Sequence, residues 1–244
     1  MIADHQKSVE FYQENASKYD EVRFQGRAGE WNNLVQMNIM SKLSSRWRDK
    51  QIIEVGCGSG RCTKMLLDLG CKLTAAEPSE KMIALAQRRC ELEIQRGDVE
   101  FIMSDIESLA CLDKKYDVVI AINVFSRLPE GEQALAKLVS LLSEQGEIVF
   151  NFQCITSILF PFGILVNKRK RSLSTPVYSR WYTPAQIRSM LSSHGATVKN
   201  WFGHHYVPVP KRLFLLWPGL WIAQLLLNRW FPKACPSVFV VCTK

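Results

Sequence analysis

Three glycines at alternate positions, Gly56, Gly58 and Gly60, follow directly on the apolar run Ile52-Ile53-Glu54-Val55. This stretch limits the fold more than any other. Ile52, Ile53 and Val55 suit a strand buried in a parallel sheet. Glycine has no Cβ, so the backbone can turn sharply here and a ligand can lie against it. Met65, Leu66 and Leu69 recur at helical spacing, which predicts a helix over 61–69. Strand, glycine turn and helix together open a nucleotide-type site, with backbone N–H groups at the helix start expected to face the ligand. The spacing is G-x-G-x-G with the acid Glu54 two residues before the first glycine. It is neither the G-x-G-x-x-G of dinucleotide binders nor a P-loop, which ends in Gly-Lys-Ser/Thr.

The chain continues in strand–helix alternation. Residues 71–77 read as a second strand ending in Glu77, 17 residues beyond Gly60. A carboxylate there can accept hydrogen bonds from both hydroxyls of a ribose. Pro78-Ser79 then caps a helix over 80–89. Residues 99–105 read as the third strand, and the wholly apolar 116–123 as a fourth covered on both faces. A helix over 133–142, a turn at 143–146 and a fifth strand over 147–152 follow. Thr183 and Pro184 start a helix that Gly195 ends; 196–202 and 237–242 supply strands six and seven. The alternation predicts an α/β fold with a doubly wound, mostly parallel sheet.

In Ile53-Glu54-Val55-Gly56-Cys57-Gly58-Ser59-Gly60, followed in order by Glu77, Asp105 and Asn123 at strand ends, the chain resembles the class I S-adenosylmethionine-dependent methyltransferases. The resemblance implies seven strands with an antiparallel end, S-adenosylmethionine as cofactor and S-adenosylhomocysteine as product. It implies a cofactor site in which Glu54, Gly56, Cys57, Gly58 and Gly60 form the bend. Glu77 and Pro78 take the ribose side, Met82 packs on adenine, Asp105 accepts from the adenine amino group with Ile106 alongside, and Asn123 stands where the methyl is presented. Residues 4–48 read as two amphipathic helices. Within them Ala16-Ser17-Lys18-Tyr19-Asp20 resembles a Tyr-Asp element of small-molecule enzymes of this class, so Tyr19 either covers the sulfonium or is an ordinary core tyrosine. The expected organisation is a helical cap over 1–48, the cofactor core over 49–152, an acceptor cover over 153–182, and the sheet end over 183–244 with an insertion at 208–235.

Charge is distributed unevenly. All 23 acids of the 244 residues precede Ile148; the rest of the chain carries 12 Lys and Arg and no acid. Such a one-sided field suits anionic lipid, an acidic substrate or nucleic acid. Within the insertion, 213–228 has no charged residue, is flanked by Lys211-Arg212 and Arg229, and holds Trp217 and Trp221, with Trp230 just beyond. A membrane span would strand the last strand across the bilayer. An interfacial helix and a lid over the acceptor or a subunit contact remain, and the basic run 168–171 favours the membrane surface. Eight cysteines without a C-x-x-C pair suit reduced thiols in a cytoplasmic protein, and the N-terminus lacks the apolar core of a signal peptide.

Methyl transfer is a direct displacement that chiefly needs alignment and exclusion of water. An alcohol acceptor also needs a base. His204 and His205 follow the sixth strand and are candidates, or else ordinary surface or hydrogen-bonded histidines. Tyr178 and Arg180 lie in the cover, where Arg180 can hold an anionic acceptor group. Asn123-Val124-Phe125-Ser126 is not the Asn/Asp-Pro-Pro-Tyr/Phe of base-amine enzymes, and no acid cluster after the fourth strand indicates a magnesium site. The expectation is a metal-independent enzyme for a small apolar or lipid-like acceptor at a membrane surface. An RNA or protein methyltransferase using the basic segment and a non-catalytic cofactor-binding subunit are the alternatives.

Overall fold

The computed structural model describes residues 2–110, 114–157, 179–204 and 230–244. Tyr178, His205, the basic run 168–171 and positions 211–229 of the insertion lie outside the described residues.

The strands are β1 (Ile52–Val55), β2 (Leu73–Ala76), β3 (Val99–Ile102), β4 (Tyr116–Ala121), β5 (Leu142–Cys154), β6 (Trp181–Tyr182), β7 (Thr197–His204) and β8 (Ser237–Thr243). Their order is β3-β2-β1-β4-β5-β8-β7, with β6 pairing alongside β5. β1 to β5 run parallel, while β8 is antiparallel to both β5 and β7. The helices are α1 (Ile2–Phe24), α2 (Arg27–Ser44), α3 (Arg61–Asp68), α4 (Glu80–Arg89), α5 (Glu91–Gln95), α6 (Ile106–Ala110), α7 (Gly131–Ser140) and α8 (Pro184–Ser193).

Each central strand is apolar on both faces, as a two-sided parallel sheet requires. Along β4, Val119 and Ala121 join the core beneath α6, α7 and α8. Val118 and Ile120 join a second core beneath α2 and α3, with Met40, Trp47 and Leu66. The expected caps form. Ser79 Oγ accepts from Met82 N–H at 3.4 Å, and Thr183 and Gln186 make a reciprocal capping box at 3.1 and 2.8 Å.

Two elements differ from the periodicity. α7 ends at Ser140 rather than near 142, because Leu142 is buried in the sheet opposite Tyr116. The next pair is Val118 with Glu147, so the predicted turn at 143–146 is an outward bulge within one strand rather than a break before it. The two-residue β6 makes the sheet eight-stranded rather than seven-stranded. It seats Tyr182 against Phe125, with ring centroids 5.0 Å apart, and so fixes the loop that follows β4.

Candidate active site

A cleft opens at the carboxyl ends of β1, β2 and β4. β1 and β4 are neighbours there, and their onward connections leave toward opposite edges of the sheet. That is the switch point at which open α/β sheets take ligands. Glu54 forms the floor. It is 2% exposed and accepts from the Thr63 hydroxyl at 2.6 Å, and burial pushes its carboxyl up to about 7. Glu77 closes one wall and is also buried. Its carboxylate oxygens accept from Gly58 N–H at 2.9 Å and Ser79 N–H at 3.1 Å, which turns the carboxylate toward the glycine bend. Burial raises its pKa, and the two backbone donors draw it back down. Pro78 and Met82 extend this wall.

The bend itself is shaped by steric limits. A Cβ on Gly56 would stand 2.4 Å from Val124 Cγ2, and one on Gly60 would stand 2.7 Å from Ala86 Cβ. Gly56 thus keeps the bend against the loop after β4. Gly60 lets α3 approach α4, and it does not line the cleft although its neighbours Ser59 and Arg61 do. The N–H groups of Gly56 and Cys57 donate to Ala76 O, and that of Gly58 to Glu77. These three N–H groups hold the bend to the end of β2; the groups expected to face a ligand are those at the start of α3, which are not among them. The Cys57 thiol lines the cleft, and burial pushes it well above its usual range, so it stays protonated and inert.

Asn123 ends β4 with φ of 62°, a left-handed backbone that asparagine tolerates better than most residues. Its N–H donates to Asn151 Oδ1 at 2.6 Å, and Asn151 Nδ2 donates back to Asn123 Oδ1 at 3.1 Å and to Ser237 Oγ at 3.0 Å. Gln36 and Arg61 continue this chain of hydrogen bonds to the cleft wall. α1 forms the roof with Ser8, Val9, Tyr12, Tyr19 and Phe24. Two contacts latch it. Gln13 Oε1 accepts from Ser79 Oγ at 2.7 Å and Lys81 N–H at 3.0 Å; Asp20 accepts from Ser59 Oγ at 2.6 Å and pairs with Arg89.

Residues 53–150 match the methyltransferase domain family. The chain is 20% identical over 219 residues to the ubiquinone biosynthesis O-methyltransferase of Coxiella burnetii, covering 83% of this chain and 92% of that protein. It is 34% identical over 163 residues to the malonyl-[acyl-carrier protein] O-methyltransferase of Bacillus cytotoxicus, covering 64% and 55%. Its fold matches magnesium protoporphyrin IX methyltransferase from Synechocystis PCC 6803 with bound S-adenosylhomocysteine. The TM-score is 0.70, at 16% identity and 99% coverage of both chains. Residues 53–150 thus match a methyltransferase domain, and the fold is that of a solved S-adenosylhomocysteine-bound methyltransferase.

In this methyltransferase the structure brings Tyr19, Glu54, Gly56, Cys57 and Gly58 to the cleft, together with Glu77, Pro78, Met82 and Asn123. Other expected residues stand elsewhere. Asp105 Oδ1 accepts from Ser108 N–H at 2.8 Å and caps α6, while Ile106 is a core residue; neither lines the cleft. His204 is 2% exposed, with Nε2 3.2 Å from Asn32 O and its ring edge-on to Phe239, and it does not line the cleft. Arg180 donates to Pro129 O at 3.1 Å and pins the loop after β4, away from the lining. Arg61, Arg127, Tyr12 and Phe24 line the cleft without having been singled out in the sequence. The position of Arg61, directly after the third glycine, was the available signal. The other three depend on how α1 and the 3₁₀ turn Phe125–Arg127 fold over the cleft. Among the described residues no group of three His, Cys, Asp or Glu is placed to hold a metal.

Proposed function

We propose that the methyltransferase holds S-adenosylmethionine in this cleft and methylates a small, apolar or lipid-like acceptor at a membrane surface. The observation that carries the cofactor reading is the Glu77 carboxylate, turned to the glycine bend and backed by two N–H donors, with an open wall at Pro78 and Met82. The residues present fit the group. Glu77 would take the ribose hydroxyls, Met82 the adenine face and Glu54 the cationic methionyl part. Asp105, which caps α6 and does not line the cleft, is an adenine partner on the sequence resemblance alone. When bound, the cofactor supplies a methyl group on a positively charged sulfur, open to direct displacement. The chain's own work is to orient and to exclude water: α1 roofs the cleft with aromatic rings, and the Asn123–Asn151 bonds fix the β4 end.

Acceptor class rests on different support. The relatives named above are, by their names, O-methyltransferases of ubiquinone biosynthesis and of malonyl-[acyl-carrier protein]. The acid-free, basic sequence after Glu147 and the tryptophan-bearing uncharged run 213–228 support contact with anionic lipid. The same basic charge is what an RNA or protein substrate would use. Flotation with vesicles of phosphatidylglycerol and phosphatidylcholine decides. The protein should float with the anionic vesicles and lose this on deletion of 211–229; flotation unchanged by that deletion contradicts the membrane reading.

A further inference from the structure

Trp230 and Phe231 are the exposed aromatic side chains among the described residues, at 71% and 61%. They stand just before the 3₁₀ turn Pro232–Ala234, which leads into β8. Ile155, also exposed, follows the end of β5. Two hydrogen bonds tie these segments together. Cys154 N–H donates to Pro236 O at 2.8 Å, and the Thr156 hydroxyl donates to Lys233 O at 3.1 Å. Lys233 is exposed, with its Nζ 5.3 Å from the centroid of the Trp201 ring on β7. The result is an apolar patch with a cation at its edge.

The patch lies at the same edge of the sheet as the cleft. β5 runs parallel to β4, so its Cys154 end is at the carboxyl edge. Ser237 pairs with both Gln153 and His204, which brings the start of β8 and the end of β7 there too. Gln153 N–H donates to Ser126 Oγ at 2.9 Å, in the turn whose neighbours Val124 and Leu128 line the cleft. The segments that carry the patch, 151–157, 197–204 and 230–244, hold Lys199, Lys233 and Lys244 and no acid. Tryptophan rings settle at the headgroup level of a bilayer, and a lysine beside them is drawn to anionic lipid. A second copy of the chain seated face to face on this patch would instead set like charges against each other. We propose that Trp230 and Phe231 enter the headgroup region of an anionic lipid surface, with Lys233 on the lipid phosphates, so that the carboxyl edge of the sheet and the mouth of the cleft face the lipid. The acceptor then reaches the cleft from the lipid rather than from water. This inference rests on the membrane reading above and deepens it, by naming the contact and the orientation.

The test is flotation of the full chain with vesicles of phosphatidylcholine alone and with phosphatidylglycerol added. Wild type should partition more strongly to the mixed vesicles. Trp230→Ser combined with Phe231→Ser should lower that partition at least about tenfold, since two large side chains leave the interface. Lys233→Ala, which keeps both rings, should lower it about fivefold on the mixed vesicles and leave partition to phosphatidylcholine unchanged. Leu92→Ser alters a similarly exposed apolar residue on α5, which leads into the amino end of β3, and should change nothing. If wild type floats but neither patch variant changes its partition, the inference is overturned while the membrane reading stands. Equal loss in Leu92→Ser also overturns it. A dimer in sedimentation that the double variant splits, with partition unchanged, assigns the patch to a subunit contact and overturns it as well. A wild type that floats with neither vesicle overturns the membrane reading itself.

Discussion

Glu54 is a carboxyl that the fold places at a cost. A free glutamate carboxyl titrates near 4.5, and this one near 7, because burial disfavours its charge. The folded protein therefore holds a proton that the unfolded chain releases between those values. The contribution of Glu54 to stability falls as pH rises from about 4.5 to about 7, by on the order of 3 kcal/mol, and stays low above that. Glu54→Gln should remove this penalty. Thermal melts should show the variant several degrees more stable than wild type at pH 8 and close to wild type at pH 4.5. Equal melting temperatures at both pH values would contradict the burial account. If Glu54 faces the cationic part of the cofactor, as proposed, the same variant binds S-adenosylmethionine more weakly, a stability gained against function. At this scale the sequence was readable where a residue's role follows from its immediate neighbours. Glu54 and Glu77 sit at strand ends, and their strands are unmistakable. Asp105 is also near a strand end, yet its side chain turns back to cap α6, a local competition that spacing does not reveal. Gly60 belongs to the motif, but what it meets is Ala86 on another helix.

At the scale of elements, α1 is the piece whose position was least legible. Its amphipathic pattern predicts a helix with one buried face but not what that face covers. The latches that decide it join residues far apart in the chain, Gln13 to Ser79 and Asp20 to Ser59 and Arg89. Both latches reach elements that line or flank the cleft, so loosening them should ease the exit of a ligand beneath α1. Asp20→Ala removes one acceptor from Ser59 and Arg89, while the roof residues of α1 stay in place. Each lost contact is worth up to about 1 kcal/mol, so stopped-flow displacement of S-adenosylhomocysteine should show dissociation faster by up to about thirtyfold. Unchanged dissociation, with helix content preserved, would mean that α1 does not gate the cleft. By contrast α4 and α8 were legible to the residue at their starts, since Ser79, and Thr183 with Gln186, state their caps locally.

For the whole molecule, periodicity was enough to give the parallel core, because strands buried on both faces read as apolar runs and glycine turns punctuate them. The eight-stranded edge was not, because β6 is two residues long and held by Tyr182 packing rather than by its own pattern. The acceptor end was readable only as a charge imbalance: the sequence after Glu147 carries no acid, while Arg61 and Arg127, which line the cleft, precede it. Everything proposed about activity depends on the cleft at the switch point seating an adenosyl group with its ribose on Glu77. Calorimetric titration of S-adenosylhomocysteine into wild type and Glu77→Ala tests this most directly. Wild type should show saturable one-to-one binding. Glu77→Ala should lose at least about thirtyfold in affinity, since a charged acceptor of hydrogen bonds is worth about 2 kcal/mol. Equal affinity in the two proteins, or no binding to wild type, would contradict it.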